Sequence, residues 1–474
     1  MVLRNYQEIY DSMASQIVSR RPGLAVRPID LHGESFISPV SSEMELLYRE
    51  LNEVKSAMSV LTAEETNLEN LGANFRISKT PSTPSSGIVS VGTDTLPLTD
   101  YIIPGGTLFS GINGTSTVSF FSLVDVTLPS QAEFSNTPEN SPYVITSDEG
   151  TLIFAIDVPV RATITGLITN LSRGSIRSAN GLSGNFNQIF NYSPLTGGAD
   201  VMSDSELAAL IPLAMAGGIV GTQNGYLLSA LLQPEVVDAK VIGFGNSSMI
   251  RDSGKGGCID VIVIGENLVQ VEQTFEDIQT LDDLPLAFNP VILVSSVIGE
   301  NLGQISQFAY SLVQENVTDP RFNSNQSRAF LRWNTNIPIN DTITVKYVYN
   351  KTVNDIMDQT NSRVGNLGLN ILVKTADILF VDVAVTIKLD TTADRSSVKS
   401  SVSLAIQNFL NGLTLGEELT ESQIIEVVKG VSTSITDVIS PLRQLSISGS
   451  SGTTPIIPTA SQYIRASNVQ VFLQ

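Results

Sequence analysis

The sequence is poor in the residues on which most catalytic and metal sites depend. It has a single cysteine, Cys258, and a single histidine, His32, among 474 residues. One cysteine excludes an intrachain disulfide bond and a multi-cysteine zinc site. One histidine makes imidazole acid–base catalysis depend on His32 alone. The low cysteine content fits a reducing compartment.

Basic residues are also scarce. Lys and Arg total 27 against 47 Asp and Glu, which gives a net charge of -20. Phosphate contacts need Lys and Arg, so the balance argues against a nucleic-acid-binding protein and disfavours docking on anionic lipid. Charged residues make up 16% of the chain, against about 25% in a typical domain. This composition favours a β-rich or assembly-forming protein over a compact metabolic enzyme.

Long apolar runs are missing too. The longest, Leu207–Val220, is too short to span a bilayer and contains Pro212. Charged residues interrupt Ile371–Leu389, and Met1–Tyr10 lacks the apolar core of a signal peptide. We therefore expect a soluble protein, made in the cytoplasm, that does not bind a membrane.

What the sequence does have is a heptad stripe between Ser42 and Gly72. Its apolar residues alternate three and four positions apart, and Glu65 and Leu68 continue the register. The stripe consists of Met44, Leu47, Leu51, Val54, Met58 and Leu61. One interpretation is an amphipathic helix packed on its own domain. The other is a helical bundle formed by several chains, which the narrowness of the stripe favours.

The hydrophobic periods and turn residues predict an α+β, multidomain protein. We expect an N-terminal helical, coiled-coil-like arm at 1–80 and a small antiparallel β domain at 81–175. A mixed α+β domain follows at 176–265 with 356–374, and it is interrupted by an insertion at 266–355. A C-terminal βααβ unit occupies 375–474.

Individual elements follow from local signals. In the β domain we predict strands at Ile88–Val91, Val118–Val124, Leu152–Ile156 and Val160–Ile164. In the mixed domain, a capping box at Ser203–Glu206 opens a helix that ends near Gly217. A helix at about 224–232 and strands at 236–243 and 258–264 follow it.

The last two segments have their own predicted elements. The insertion is expected to contain an acidic helix at Val271–Leu281 and a strand at Thr342–Tyr349. The C-terminal unit is expected to contain a strand at Ile378–Ile387, a helix at Asp394–Asn411, a second helix after the capping box Thr420–Gln423, and a strand at Val431–Ile439. We expect Ser446–Ser461 to be loose.

Few side-chain clusters suggest chemistry. Asp30, His32 and Glu34 would share one face of a strand and resemble part of a non-haem iron site. Such a site normally has two histidines, and the neighbouring Pro28 and Gly33 favour an exposed loop. The metal interpretation is therefore the weaker one.

Three other candidates have simpler interpretations. Gly254–Gly257 departs from the phosphate-loop pattern at two positions and is better explained as part of a hairpin connection. The carboxylate pairs Asp148–Glu149 and Asp282–Asp283 are adjacent, which favours solvated turns over paired glycosidase acids. Cys258 precedes an apolar strand, and we expect it to be buried. We predict no catalytic residues, no metal and no cofactor.

Several stretches, taken in order, resemble the baseplate J-like family of contractile-tailed bacteriophages and related injection machines. The matching stretches are Ala63–Arg76, Ile102–Phe109, Ala179–Phe186, Thr196–Glu206, and Leu413–Gly416 followed by Ile424–Val438. Gly105 stands where the family usually has alanine, and Val201–Met202 replaces an acidic pair. Residues 266–355 have no counterpart.

The resemblance implies a structural baseplate wedge subunit and no enzyme. Such proteins associate as dimers and link into a six-fold ring around the tail hub. It implies a virion protein of the tail baseplate, assembled in the host cytoplasm. The expected partners are other copies of the chain, neighbouring wedge proteins, sheath-initiator proteins, and hub or tube proteins. The N-terminal arm would join a bundle with a neighbouring wedge chain, and the C-terminal domain at 375–474 would contact another copy, in the dimer or in the ring. The ring would transmit the change that triggers sheath contraction.

Two other functions stay open from the sequence. A tail-associated enzyme that degrades glycans needs a pair of carboxylates in one cleft, which the sequence does not identify. A host-binding fibre or glycan-binding protein usually shows long β-repeats, and no repeat period emerges here.

Overall fold

The computed structural model describes residues 4–22, 27, 30–31, 33–113, 116–130, 142–146, 151–182, 186–217, 221–249, 256–276, 283–316, 327–334, 341–364, 369–390, 394–450 and 455–474. The chain combines helices with sheets whose strands are mainly antiparallel, which confirms the α+β, multidomain prediction. The chain divides into two compact units, one of residues 1–79 with 203–218 and the other of 80–202 with 219–474. The finer division into five domains stays a prediction.

The first unit is helical. A π-helical turn at Gly33–Ile37 leads directly into its second helix. The helices are α1 (Tyr6–Arg20), α2 (Ser38–Ala57), α3 (Glu65–Ala73) and α4 (Asp204–Gly217). Asn5 caps α1 because its side chain accepts a hydrogen bond from the Glu8 N–H at 2.9 Å, and the Glu8 carboxylate accepts one from the Asn5 N–H.

Helix α4 begins at the predicted capping box. The Ser203 N–H donates to the Glu206 carboxylate at 2.7 Å, and the Glu206 N–H donates to the Ser203 hydroxyl at 3.3 Å. The helix runs through Pro212 and ends at Gly217, as predicted. Its Leu207 side chain is fully buried, and a Cβ added at Gly72 of α3 would lie 3.4 Å from it. The same Cβ would lie only 3.0 Å from the Ile77 carbonyl oxygen, so glycine at position 72 leaves room for the chain that follows α3.

Asp204 joins α3 to α4 electrostatically. Its carboxylate accepts a hydrogen bond from the Glu65 N–H at 2.8 Å and pairs with Lys79 at 2.7 Å. The hydrogen bond from Lys79, followed by that from Glu65, lowers the pKa of Asp204. The first turn of α4 thus caps α3 in place of a side chain from the α3 segment itself.

The second unit opens with an antiparallel β domain. Its main sheet has the order β8-β3-β4-β7-β1-β9, with β6 also paired to β7, and β2 pairs with β5. The strands are β1 (Ser86–Thr93), β2 (Tyr101–Ile103), β3 (Leu108–Asn113), β4 (Ser116–Ser122), β5 (Val126–Leu128), β6 (Tyr143–Thr146), β7 (Leu152–Ala162), β8 (Ile176–Asn180) and β9 (Gln188–Phe190). Apolar side chains such as Phe109 and Phe120 fill its core.

The prediction of two separate strands at Leu152–Ile156 and Val160–Ile164 was wrong. They form the single strand β7, which passes through Pro159. Pro159 lies opposite Ile88 of β1, and its carbonyl accepts a hydrogen bond from the Leu123 N–H at 2.9 Å. Proline has no N–H to donate, but it can continue a strand at a position where no N–H is required. Pro159 therefore does not mark a turn between two strands.

The next group of elements is mixed. The helices are α5 (Gln223–Leu231) and α6 (Lys351–Val364), and the strands are β10 (Asp238–Ile242), β11 (Cys258–Ile264) and β19 (Asn370–Thr375). The strands β10 and β11 are antiparallel, which confirms that they form a hairpin, whereas β11 and β19 are parallel. The predicted helix at 224–232 and both predicted strands are confirmed. Cys258 is buried, as expected.

Between β11 and β19 in sequence lie two small sheets with a shared core. Their orders are β12-β18-β14-β15 and β13-β17-β16. The strands are β12 (Leu268–Phe275), β13 (Leu284–Pro285), β14 (Val291–Gly299), β15 (Gly303–Gln304), β16 (Tyr310–Asn316), β17 (Ser327–Trp333) and β18 (Ile343–Asn350). The predicted strand at Thr342–Tyr349 is confirmed as β18.

The acidic helix predicted at Val271–Leu281 was wrong. Residues 271–275 belong to strand β12, and 277–282 lie outside the described residues. All eight residues of β12 are in register with β18, so Val271 lies opposite Tyr347. The buried Tyr347 hydroxyl also donates to the Gln273 side chain at 3.1 Å. Side chains of β12 alternate between less and more exposed positions, and pairing with the distant β18 fixes this strand.

The C-terminal unit is built around one long strand. Its elements are β20 (Asp377–Leu389), α7 (Arg395–Gly412), α8 (Glu421–Val431), β21 (Ile435–Val438), β22 (Gln444–Ile447) and β23 (Gln462–Leu473). The predicted βααβ order is confirmed in β20, α7, α8 and β21. Strands β21 and β22 pair antiparallel with different parts of β20, and β23 pairs with it in parallel. The apolar faces of α7 and α8 cover this sheet.

The prediction missed two strands of this unit. The segment Ser446–Ser461, expected to be loose, begins in β22. Residues 451–454 lie outside the described residues. Strand β23 runs parallel to β20 over its whole length, with one irregularity between Ala466 and Asn468. Its sequence alternates only after that point, so periodicity alone did not reveal the strand.

A partly buried carboxyl group at the link between β11 and β12 gives a testable pH effect. Burial raises the pKa of Glu266 to about 7 from its ordinary value of 4.5. The folded chain therefore holds the proton more tightly than the unfolded chain. The contribution of this group to stability is fully present below about pH 4.5 and is lost as the pH rises through 7. Glu266→Gln should stabilise the protein by on the order of 2 kcal/mol at pH 8.

The difference between wild type and Glu266→Gln isolates this effect from every other titrating group. Thermal melts of both proteins at pH 5 and pH 8 would measure it. The gain in melting temperature from the substitution should be larger at pH 8. An equal gain at both pH values would show that Glu266 has an ordinary pKa.

Candidate interaction surface

The first turn of α2 packs against α1. The Tyr6 hydroxyl lies 2.7 Å from the Ser38 hydroxyl, and the Ser41 hydroxyl points at the Met13 sulfur at 3.7 Å. Ile9 and Tyr10 of α1 are buried. Ser41 is the one buried residue of α2. Contact with the rest of the unit thus holds the beginning of α2.

The remainder of α2 exposes an apolar stripe. Met44, Leu47, Leu51 and Val54 are 38%, 55%, 43% and 58% exposed. Their spacing of three, four and three residues places them on one face of the helix. An isolated helix of this length is marginal in water because its stability normally comes from packing an apolar face. The surface formed by these four residues, called the α2 stripe below, is suited to contact with another helix.

Helix α2 covers the first four residues of the predicted stripe, and the interaction surface itself stays a prediction. Helix α2 ends at Ala57, so Met58 and Leu61 lie in the following turn, where they are 74% and 94% exposed. The Thr62 hydroxyl donates to the Ser56 carbonyl at 2.8 Å. A side chain beyond the helix thus binds a carbonyl group in the last turn of α2. A continuous helix from Ser42 to Gly72 is therefore wrong.

The residues that were expected to continue the register belong to a separate helix. Glu65 opens α3 with a positive φ of 45°. Leu68 is buried and does not extend the exposed face. The sequence has no proline or glycine between α2 and α3 that would signal the break. In the structure the Thr62 hydroxyl binds the last turn of α2, and Asp204 binds the first amide of α3.

Charged residues of α2 lie beside the stripe at Glu43, Glu50 and Lys55, and on the opposite face at the other positions. The helix carries Glu43, Glu45, Glu50 and Glu53 against Arg49 and Lys55, and all but Glu45 are largely exposed. Charged residues that flank an apolar seam select the partner helix and its direction. A partner with basic residues beside its own apolar stripe would fit this surface best.

Other sequence candidates do not form a site among the described residues. The described part of the chain contains no group of three His, Cys, Asp or Glu side chains that could hold a metal ion. His32 lies outside the described residues. Glu34 belongs to the π-helical turn, where its N–H donates to the Asp30 carbonyl at 2.9 Å, so the expected loop is helical there.

The remaining candidates are structural or outside the described residues. Gly256 and Gly257 have positive φ values in the β10–β11 hairpin, whereas Gly254 lies outside the described residues. Asp148 and Glu149 are also outside them, as is Asp282. Asp283 forms an ion pair with Arg332 at 2.9 Å. Its carboxylate therefore orients a neighbouring strand.

One buried polar cluster was not predicted. Ser90 donates a hydrogen bond to Asp157 at 2.7 Å, and the Tyr143 hydroxyl donates to Ser90 at 2.7 Å. Burial raises the pKa of Asp157 and carries that of Tyr143 above its usual range. The cluster ties β1, β6 and β7 together. A polar network that is satisfied internally fits a structural role.

An open cleft between α7 and α8 is relevant to the enzymatic alternative. It measures about 610 Å³ and is lined by Ala405, Phe409, Gln423, Glu426, Val427, Gly430 and Val431. Glu426 is the one carboxylate of that lining. A glycosidase cleft needs two carboxylates across the bond to be cleaved, so this cleft does not meet the requirement.

Comparisons with known proteins find similar solved structures. No family model matches the chain. No curated protein matches it either. The cryo-EM structure of the anti-feeding prophage (AFP) baseplate, six-fold symmetrised, includes a chain that is similar, with a TM-score of 0.30 and 11% sequence identity. That similarity covers 99% of this chain and 100% of the other. No helix in the described part of the chain combines the length and apolarity that crossing a bilayer requires.

Proposed function

We propose that the protein is a structural subunit of the baseplate wedge of a contractile tail. It associates with copies of itself and with neighbouring wedge proteins, and the copies form the inner six-fold ring around the tail hub. The α2 stripe joins a helical bundle with a neighbouring wedge chain. The ring transmits the baseplate change that triggers sheath contraction.

The exposure of the α2 stripe is the observation that supports this proposal most directly. Four apolar side chains at heptad spacing face water on a helix whose one buried residue, Ser41, lies in its first turn. Burying such a stripe against a second helix contributes roughly 25 cal/mol for each Å² of apolar surface removed from water. A chain that exposes this surface when alone is suited to assembly.

The ordered resemblance of five sequence stretches to the baseplate J-like family is the second support. Two of these stretches contain glycine turns in the structure, and one of the two contains a helix start. Gly106 of Ile102–Phe109 and Gly197 of Thr196–Glu206 have positive φ values, and Ser203 caps α4. The residues that carry the resemblance are therefore scaffold residues, as a structural subunit requires.

The mass of the purified chain in solution tests the proposal, measured alone and after mixing with the neighbouring tail proteins. We expect a dimer, or a heteromer that assembles further into ring-like particles visible by electron microscopy. A stable monomer that ignores those proteins would contradict the wedge function. Binding or hydrolysis of cell-wall or capsular glycan by such a monomer would support the tail-associated alternative.

A further inference from the structure

The last part of strand β23 lies at an open edge of its sheet. It pairs with β20 on one side, and no strand of the described chain pairs with its other side. The Gln474 N–H donates to the Ile387 carbonyl of β20 at 3.0 Å. Because main-chain groups alternate in direction along a strand, those of Val469, Val471 and Leu473 point away from β20. These three residues define what we call the β23 edge.

The first half of the same strand is covered by this chain. The Gly416 N–H donates to the Gln462 carbonyl at 2.9 Å, and the Ala466 N–H donates to the Asn411 side chain at 3.2 Å. The Arg465 guanidinium donates to the Leu413 carbonyl at 3.2 Å. This cover stops at Ala466, which is where the pairing with β20 becomes irregular. The β23 edge begins beyond that point.

The residues of the β23 edge themselves carry none of the usual protection against pairing, and the Arg443 guanidinium lies over the Phe472 ring at 4.3 Å from its centroid. Exposed edges are normally blocked by lysine, by proline or by an inward-pointing charge. Residues 467–474 contain no charged side chain and no proline. Asn468, Gln470 and Phe472 are exposed on one face, while Val469, Val471 and Leu473 pack toward the core under α7. An unprotected edge of this length is a template for another strand.

We infer that the β23 edge pairs with the same edge of a second copy of the chain, in antiparallel register centred on Val471. This inference rests on the self-association in the proposed function and gives it a surface. In that register Val469 lies opposite Leu473 of the second copy, and Gln470 lies opposite its Phe472. Apolar side chains meet apolar ones on the core face of both sheets.

Charge favours a second copy as the occupant. The chain has a net charge of -20, so most contacts between two copies bring carboxylates together. The β23 edge is a neutral segment that two copies can share without this repulsion. Its antiparallel self-pairing is closed, as a two-fold dimer requires. A cleft of about 260 Å³ beside the edge, between Lys399, Ser403 and residues 469–472, leaves room for the incoming side chains.

A pair of double variants of the full chain tests this register. Gln470→Lys with Phe472→Lys places two lysines directly opposite each other in the dimer, and we expect its dissociation constant to rise at least tenfold. Gln470→Glu with Phe472→Lys places a carboxylate opposite each lysine and should restore the wild-type constant. The two variants differ only at residue 470 and share the loss of the contact between Phe472 and Arg443. Circular dichroism melts would show that both are folded. Sedimentation equilibrium would measure the constants.

Hydrogen exchange gives the second readout. The amides of Val469, Val471 and Leu473 should be protected at concentrations above the dissociation constant and exchange rapidly below it. A dimer with equal affinity in both variants, or a monomer with rapid exchange at every concentration, would overturn the inference. Protection that occurs only after mixing with another tail protein would overturn the second copy as occupant. In that last case the wedge function itself would still stand.

Discussion

Leu51→Asp should abolish assembly with the neighbouring wedge chain and leave the isolated chain folded. Leu51 is 43% exposed when the chain is alone, so an aspartate there faces water. We expect its effect on the free energy of unfolding to stay within about 1 kcal/mol, most of it from the lower helix propensity of aspartate. In a bundle the same carboxylate is buried among apolar side chains, which costs several kcal/mol when no partner neutralises it.

The free-energy cost of burying this carboxylate lowers the affinity for the neighbouring wedge chain. Each 1.4 kcal/mol is roughly a tenfold change in the dissociation constant, so we expect binding to weaken by more than about 100-fold. Co-sedimentation of the chain with the neighbouring wedge protein would detect it. Circular dichroism melts would show that the variant is folded.

Asn52→Asp is the matched control. It adds the same negative charge one residue along α2, at an exposed position outside the stripe. It should assemble like wild type, because its carboxylate stays in water. Normal assembly of Leu51→Asp would show that α2 is not an interface, whereas loss of assembly in both variants would indicate a general effect of charge.

The structure also changes what we expect of Met58. From the sequence, Met58→Asp should act like Leu51→Asp, because both lie in the heptad register. In the structure Met58 follows the end of α2 and is 74% exposed. We therefore expect Met58→Asp to weaken assembly much less than Leu51→Asp. An equal effect would mean that the helix extends through Met58 in the assembled state.

Local signals explain what the sequence could predict. The capping boxes at Ser203 and Thr420 place the starts of α4 and α8 correctly, because a cap involves residues only three positions apart. The hairpin of β10 and β11 is also local. The same holds for the apolar face of α7, whose Val402, Ile406 and Leu410 recur at helical spacing and are all buried.

The errors arose where distant contacts decide the structure. Of the acidic residues behind the helix prediction only Glu272 lies in β12, and that strand pairs along its whole length with the distant β18. The break after α2 depends on Asp204, which is 139 residues from the Glu65 amide that it binds. The stripe residues were found from the sequence, but periodicity does not distinguish a seam between chains from a face packed within one. That distinction needed the exposure of each side chain.

Gly197→Ala should destabilise the protein by on the order of 3 to 5 kcal/mol, because strain and overlap add at this position. Gly197 has a φ of 90°, a left-handed conformation that costs an alanine about 1 to 2 kcal/mol. An added Cβ would also collide with the Glu266 carbonyl oxygen. Glu266 lies in the link from β11 to β12, whose backbone is held because its carbonyl accepts a bond from the Ser86 hydroxyl at 3.0 Å.

Gly181→Ala separates the two contributions. Gly181 has a φ of 85°, and no atom lies within 4 Å of the position that an added Cβ would take. The alanine there meets only the conformational cost, so we expect a loss of about 1 to 2 kcal/mol. Urea denaturation of both variants would compare the free energies of unfolding. Equal losses would mean that the Glu266 link yields to the extra methyl group. A larger loss for Gly197→Ala would show that the link is rigid, which is what a subunit needs if a displacement in one domain is to reach the next.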